Sequence, residues 1–167
     1  MSVFSPQISA LAQQIVTDFT ARGHMLSTAE SCTGGLIAGA ITDISGSSAV
    51  LDRGFVTYTN EAKMDMLGVT SLTLETFGAV SQETALQMVH GALYRSRGEF
   101  AVAVTGIAGP GGGKSTKPVG LVHLAAQRRS GRLIHHEMRY GDIGRDEVRL
   151  ATVLTALEML RDLSQSV

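Results

Sequence analysis

Phe100-Ala-Val-Ala-Val-Thr105, followed by Gly106-Ile-Ala-Gly-Pro-Gly-Gly-Gly-Lys-Ser-Thr-Lys-Pro118, is the stretch on which the fold turns. The apolar run has strand length and no polar alternation, so both its faces must be covered; it predicts a buried central strand. The glycine- and proline-rich segment after it predicts a loop at the strand's carboxyl end, where open α/β sheets bind ligands.

Downstream, Val119–Ala126 and Arg132–Tyr140 read as strands joined by a turn at Ser130-Gly131, hence a hairpin. Asp146–Leu163 carries Val148, Ala151, Leu154, Leu157 and Leu160 at helical spacing. Upstream, Ser81 can cap a helix whose buried face holds Ala85, Met88, Val89, Ala92 and Leu93. Gly54–Thr59 is β-branched and aromatic, a predicted strand, and Asn60 can cap a short helix ending at Gly68. Ser5–Arg22 presents Ile8, Leu11, Ile15 and Phe19 on one helical face and stops at Gly23. His24–Thr28 reads as extended, Ala29–Cys32 as a turn, and Thr33–Ile44 as a small-residue helix broken at Ser45–Ser48. Helices alternating with strands, then a hairpin, predict an α/β fold. The expected architecture is a three-layer α/β/α sandwich over a mixed, largely parallel sheet, with residues 1–167 as one domain.

Composition narrows the function. The chain has 167 residues, 44% hydrophobic and 17% charged, with a net charge of -1. That balance suits a globular domain and provides no basic field for nucleic acid. No apolar run approaches the ~18 residues needed to span a bilayer. Met1–Phe19 has no positive leader followed by an apolar block, so no signal peptide is expected. Cys32 is the only cysteine, so a reducing, cytoplasmic location is expected. His24, His90, His123, His135 and His136 form no helical pair with an acid and there is no cysteine cluster, so no metal is expected. His135 and His136 should point to opposite faces of their strand.

Four segments can carry chemistry. Thr28-Ala-Glu-Ser-Cys-Thr-Gly-Gly35 lies where a strand gives way to a helix. A hydroxyl there stands near helix N-terminal N–H groups that stabilise an oxyanion or a phosphate. Ser31 or Thr33 serves equally well as a helix cap, and spacing leaves both readings open. Cys32 competes with Ser31 as nucleophile, but without a histidine partner it reads as a buried apolar filler. In Arg53–Lys63, a lysine in the first turn of a helix is pushed toward its neutral form and could take a serine proton. On residue type alone, however, Lys63 reads as a solvated charge and Tyr58 as a core aromatic. Gly113-Lys114-Ser115 imitates a P-loop, but Ala108 stands where that motif needs glycine, and a strand rather than a helix follows. Arg145, after Gly141-Asp-Ile-Gly144, either clamps a phosphate or carboxylate or pairs with Asp142 or Asp146.

Taken together, Thr28–Gly35, Gly54-Phe-Val-Thr-Tyr-Thr-Asn-Glu-Ala-Lys63, Gly78-Ala-Val-Ser81, and Gly106–Gly112 with Lys117-Pro-Val-Gly120 resemble the CinA C-terminal domain family. That family includes stand-alone nicotinamide-nucleotide amidohydrolases. The resemblance runs over nearly the whole chain, in order and spacing. It implies hydrolysis of nicotinamide mononucleotide to nicotinate mononucleotide and ammonia, in pyridine-nucleotide recycling, with no cofactor. It implies Ser31 as nucleophile, with Lys63 and Tyr58 as activating partners and Tyr58 relaying or orienting the proton. Substrate contacts are expected from Glu30, Cys32, Thr33, Gly34, Gly35, Thr105, Gly106, Gly109 and Arg145. Gly113–Thr116 lies where such loops vary. A homo-oligomer, a dimer, is expected. The competing readings are a non-catalytic nucleotide-binding module tied to competence or DNA damage, and a nucleoside triphosphatase, against which Ala108 argues.

Overall fold

In the computed structural model, which describes residues 1–166, five strands form one sheet in the order β2-β1-β3-β4-β5. They are β1 Leu26–Glu30, β2 Leu51–Val56, β3 Phe100–Gly106, β4 Leu121–Arg128 and β5 Leu133–Arg139. β1 pairs in parallel with β2 and β3. β4 and β5 add as an antiparallel hairpin. β1 and the first six residues of β3 and of β4 are buried on both faces, and the edge strands β2 and β5 are more exposed. The continuous apolar run 100–105 thus forms the central strand, as its pattern predicts.

Helices α1 (Pro6–Arg22), α2 (Leu36–Thr42) and α6 (Arg145–Gln165) cover one face. Their core joins Ile15, Phe19, Ile41, Leu157 and Leu160 to Phe100, Val102 and Leu124 of the sheet. Helices α3 (Asn60–Leu67), α4 (Ser71–Phe77) and α5 (Gln82–Tyr94) cover the other. There Leu67, Met88, Val89 and Ala92 meet Ala29, Ala101, Ala103 and Ala125. Alternate residues of each central strand serve the two cores, giving the expected three layers around a mixed sheet.

The differences from the sequence reading lie at element ends. β1 runs to Glu30 instead of ending at Thr28, because β2 and β3 flank it and pair with Ala29 and Glu30 on both sides. α2 starts only at Leu36, since Gly34 and Gly35 take φ of 61° and 106° and hold residues 31–35 in a turn. β2 lies three residues earlier than expected, in register with β1. β4 begins at Leu121, after Gly120 at φ 90°. Thr59 caps α3 in place of Asn60, its hydroxyl accepting from Ala62 N at 3.0 Å. α4 has no counterpart in the sequence reading; its threonines obscure a helix that Thr70 caps. No helix is long and apolar enough to cross a membrane among the described residues.

Candidate active site

At the carboxyl ends of β1 and β3, a cavity of about 270 Å³ opens between the Ser31 turn, the β2–α3 loop and the loop after β3. Ser31 follows β1 directly. Its N–H is tied to Val104 O at 3.1 Å and its own carbonyl accepts from Gly34 N at 3.1 Å.

Lys63 reaches it from the first turns of α3. The Lys63 Nζ lies 2.9 Å from Ser31 Oγ, and donates to the backbone carbonyls of Thr57 at 2.9 Å and Tyr58 at 3.3 Å. The lysine is 1% exposed, so its reading as a solvated charge is overturned. Its inward direction follows from the helix: the buried residues of α3 are Lys63 and Leu67, four apart on one face. Burial drives its pKa below the ordinary lysine value, with no carboxylate among its hydrogen-bonding partners to hold the charge. A neutral amine in hydrogen-bond contact with a hydroxyl is a competent general base.

Tyr58 is the reverse case. Its side chain is 57% exposed, not a core aromatic. Its hydroxyl accepts from Arg145 at 2.8 Å and has no hydrogen bond to Ser31 or Lys63. The expected proton relay through the phenol is therefore not the bonding present; Tyr58 contributes its carbonyl to Lys63 and its hydroxyl to Arg145. Arg145 also donates to Gly109 O at 2.7 Å. It pairs with neither Asp142 nor Asp146, and instead joins α6 to both loops that wall the cavity.

The residues around Ser31 divide sharply. Glu30 is buried, and its carboxylate accepts from Thr33 Oγ1 at 2.6 Å, Ile37 N at 2.8 Å and Ala38 N at 3.0 Å. It thereby satisfies the open N–H groups at the start of α2. Glu30, Thr33, Gly34 and Gly35 are not among the residues that line the cavity, and they build the turn beside it. Cys32 does line it, yet is 5% exposed, and burial pushes its thiol pKa up to about 12. That shift disfavours the thiolate a cysteine nucleophile needs. The Cys32 N–H donates to no other residue's backbone carbonyl among the described residues.

Thr105, Gly106 and Gly109 line the cavity, with the Thr105 hydroxyl turned to Ala79 O at 2.8 Å. A Cβ on Gly106 would meet Val122 Cγ2 at 2.6 Å, so the strand end needs glycine here. Gly113-Lys114-Ser115 leads into a turn where Lys114 N and Lys117 O bond at 2.7 Å, not into a helix. Ala79, Val80, Ile107, Ala108, Gly111 and Gly112 also line the cavity, beyond the residues expected. Small and apolar residues of this kind carry no functional signature in residue type. Arg149, which the sequence reading does not single out, lies four residues from Arg145 on the same face of α6.

The CinA C-terminal domain family matches residues 8–164. A protein of Escherichia coli (strain K12) named nicotinamide-nucleotide amidohydrolase PncC is 47% identical over 155 residues, 92% of this chain and 93% of its own. Its namesake from Enterobacter agglomerans is 46% identical over 153 residues, 91% of this chain and 92% of its own. The crystal structure of competence/damage inducible protein CihA from Agrobacterium tumefaciens superposes with a TM-score of 0.98 at 73% identity, covering 99% of this chain and all of that one.

Proposed function

This chain belongs to the CinA C-terminal domain family, and we propose that it is a nicotinamide-nucleotide amidohydrolase that uses Ser31 as nucleophile and Lys63 as base. The observation that carries the reading is the buried 2.9 Å contact between Lys63 Nζ and Ser31 Oγ, at the wall of a cavity able to admit a small ligand. The names of the relatives support the substrate class.

The chemistry follows from these groups. Neutral Lys63 takes the Ser31 proton as Oγ attacks the carboxamide carbon of nicotinamide mononucleotide. The pyridinium charge makes that carbon more electrophilic and further disfavours a second cation at Lys63. The Cys32 N–H, which donates to no other residue's backbone carbonyl among the described residues, would stabilise the tetrahedral oxyanion. Collapse breaks the C–N bond, and the Lys63 ammonium gives its proton to the departing nitrogen, so ammonia leaves. Water attacks the resulting Ser31 ester, Lys63 takes its proton, and Oγ recovers that proton as nicotinate mononucleotide departs. The steps balance without a cofactor.

Arg145 and the N–H groups of Gly111 and Gly112, which donate to no protein acceptor among the described residues, would hold the phosphate. We place the reaction in the cytoplasm, within pyridine-nucleotide recycling, where a single buried thiol stays reduced. Incubating the purified protein with nicotinamide mononucleotide and identifying the product by chromatography tests the reading. Nicotinate mononucleotide is expected; unchanged substrate contradicts it.

A further inference from the structure

Arg149 stands outside the cavity, half-buried on α6, one turn beyond Arg145. Its Nε donates to Cys32 O at 3.1 Å and its Nη2 to Thr33 O at 3.2 Å. These are the two carbonyls that follow the nucleophile. Cys32 O has no other hydrogen-bond donor among the described residues, and Thr33 O has only Leu36 N at 3.1 Å besides. Residues 31–35 lie outside the helices and strands, and although Ser31, Thr33, Gly34 and Gly35 take part in backbone hydrogen bonds, the Cys32 carbonyl takes part in none.

The geometry points to Arg149 as the positioning residue of the Ser31 turn. A trans peptide unit is planar, with its N–H opposed to its C=O. A guanidinium fork gripping the carbonyls of residues 32 and 33 therefore sets the direction of the Thr33 and Gly34 N–H groups and the pitch of the turn that carries Ser31 Oγ. Glu30 anchors the same turn through Thr33 Oγ1 and the start of α2. A buried carboxylate and a cation thus both bind the residues that follow Ser31. A fork is required: a lysine ammonium is a point charge and does not reproduce two fixed parallel donors. Arg149 touches no reacting atom; it acts by keeping Ser31 Oγ in reach of Lys63, so its catalytic consequence rests on Ser31 being the nucleophile.

The test compares the parent with Ser31→Ala, Arg149→Met and Arg149→Lys. Thermal denaturation establishes folding, and ammonia release from nicotinamide mononucleotide gives kcat and KM. Displacement of a reacting group by about 1 Å costs on the order of a hundredfold. Arg149→Met is therefore expected to lose about a hundredfold in kcat with KM nearly unchanged. The pH midpoint should stay at the parent value, because Lys63 is untouched. Arg149→Lys should recover part of kcat. In both variants amide hydrogen exchange across residues 31–36 should accelerate.

A folded Arg149→Met with parental kcat overturns the inference, as does a rise in KM alone, which would make Arg149 a substrate-binding group. Should Arg149→Met not fold, Arg149→Lys decides in the same way. An inactive parent, or a Ser31→Ala that matches it, contradicts the amidase reading instead. The exchange measurement still judges Arg149 in that case: unaltered protection of residues 31–36 overturns its positioning role.

Discussion

Lys63 Nζ lies 2.9 Å from Ser31 Oγ, at the end of a side chain that is 1% exposed and has no carboxylate among its hydrogen-bonding partners. Burial alone lowers the lysine pKa, so the free base is populated at lower pH than for an exposed lysine. The expected pH–rate profile of kcat/KM rises with pH and levels off, with its midpoint below the ordinary lysine value of about 10.4. Lys63→Met should lower kcat by ~10²–10⁴, the usual contribution of a general base. Steady-state kinetics across pH checks both; a flat profile would remove Lys63 from the role.

The same shift makes stability depend on pH. Lys63 binds its proton less well when folded, so between its lowered folded pKa and its unfolded value the unfolded chain carries more protons. Stability therefore rises with pH through that window, and is reduced in full below the folded pKa. Chemical denaturation at several pH values should show that rise for the parent relative to Lys63→Met. Parallel curves for the two proteins would contradict the burial of the charge.

Much of the scaffold is legible in the residues. The unbroken run 100–105 identifies the central strand, and Ser5, Ser81 and Gly23 mark helix ends where the structure has them. Ser31 stands at a strand-to-helix turn in both readings. Side-chain direction is not legible in the same way. Residue type argues for Lys63 outside and Tyr58 inside, and the structure reverses both. The clue is positional: Lys63 shares a helical face with Leu67, whereas Tyr58 lies beyond the end of β2 and before the Thr59 cap, with no sheet partner to turn it inward. Glu30 shows the same limit: residue type does not reveal that its carboxylate accepts from Thr33 Oγ1, Ile37 N and Ala38 N at the start of α2.

Tyr58 distinguishes a relay from a latch. Its hydroxyl bonds Arg145, which also holds Gly109 O. Tyr58→Phe is expected to retain most of kcat and to raise KM, because the wall formed by the two loops loosens while Ser31 and Lys63 stay in contact. A fall of ~10²–10⁴ in kcat with KM unchanged would restore the phenol to proton transfer. Initial-rate measurements over a range of substrate concentrations separate the two.

Glu30→Gln tests the carboxylate's structural role. An amide presents only one acceptor oxygen to the donors now shared between two, and turns an NH₂ toward one of them. The expected loss is about 1–3 kcal/mol of stability, read by denaturant unfolding. Raised KM with parental stability would return Glu30 to substrate binding.

Ammonia release from nicotinamide mononucleotide by the parent and by Ser31→Ala, assayed side by side with folding verified, tests the central claim most directly. Steady release by the parent and none above background by the variant is the expected result. Equal release from both, or a parent that binds the nucleotide without cleaving it, would contradict the assignment of Ser31 as the nucleophile of an amidohydrolase.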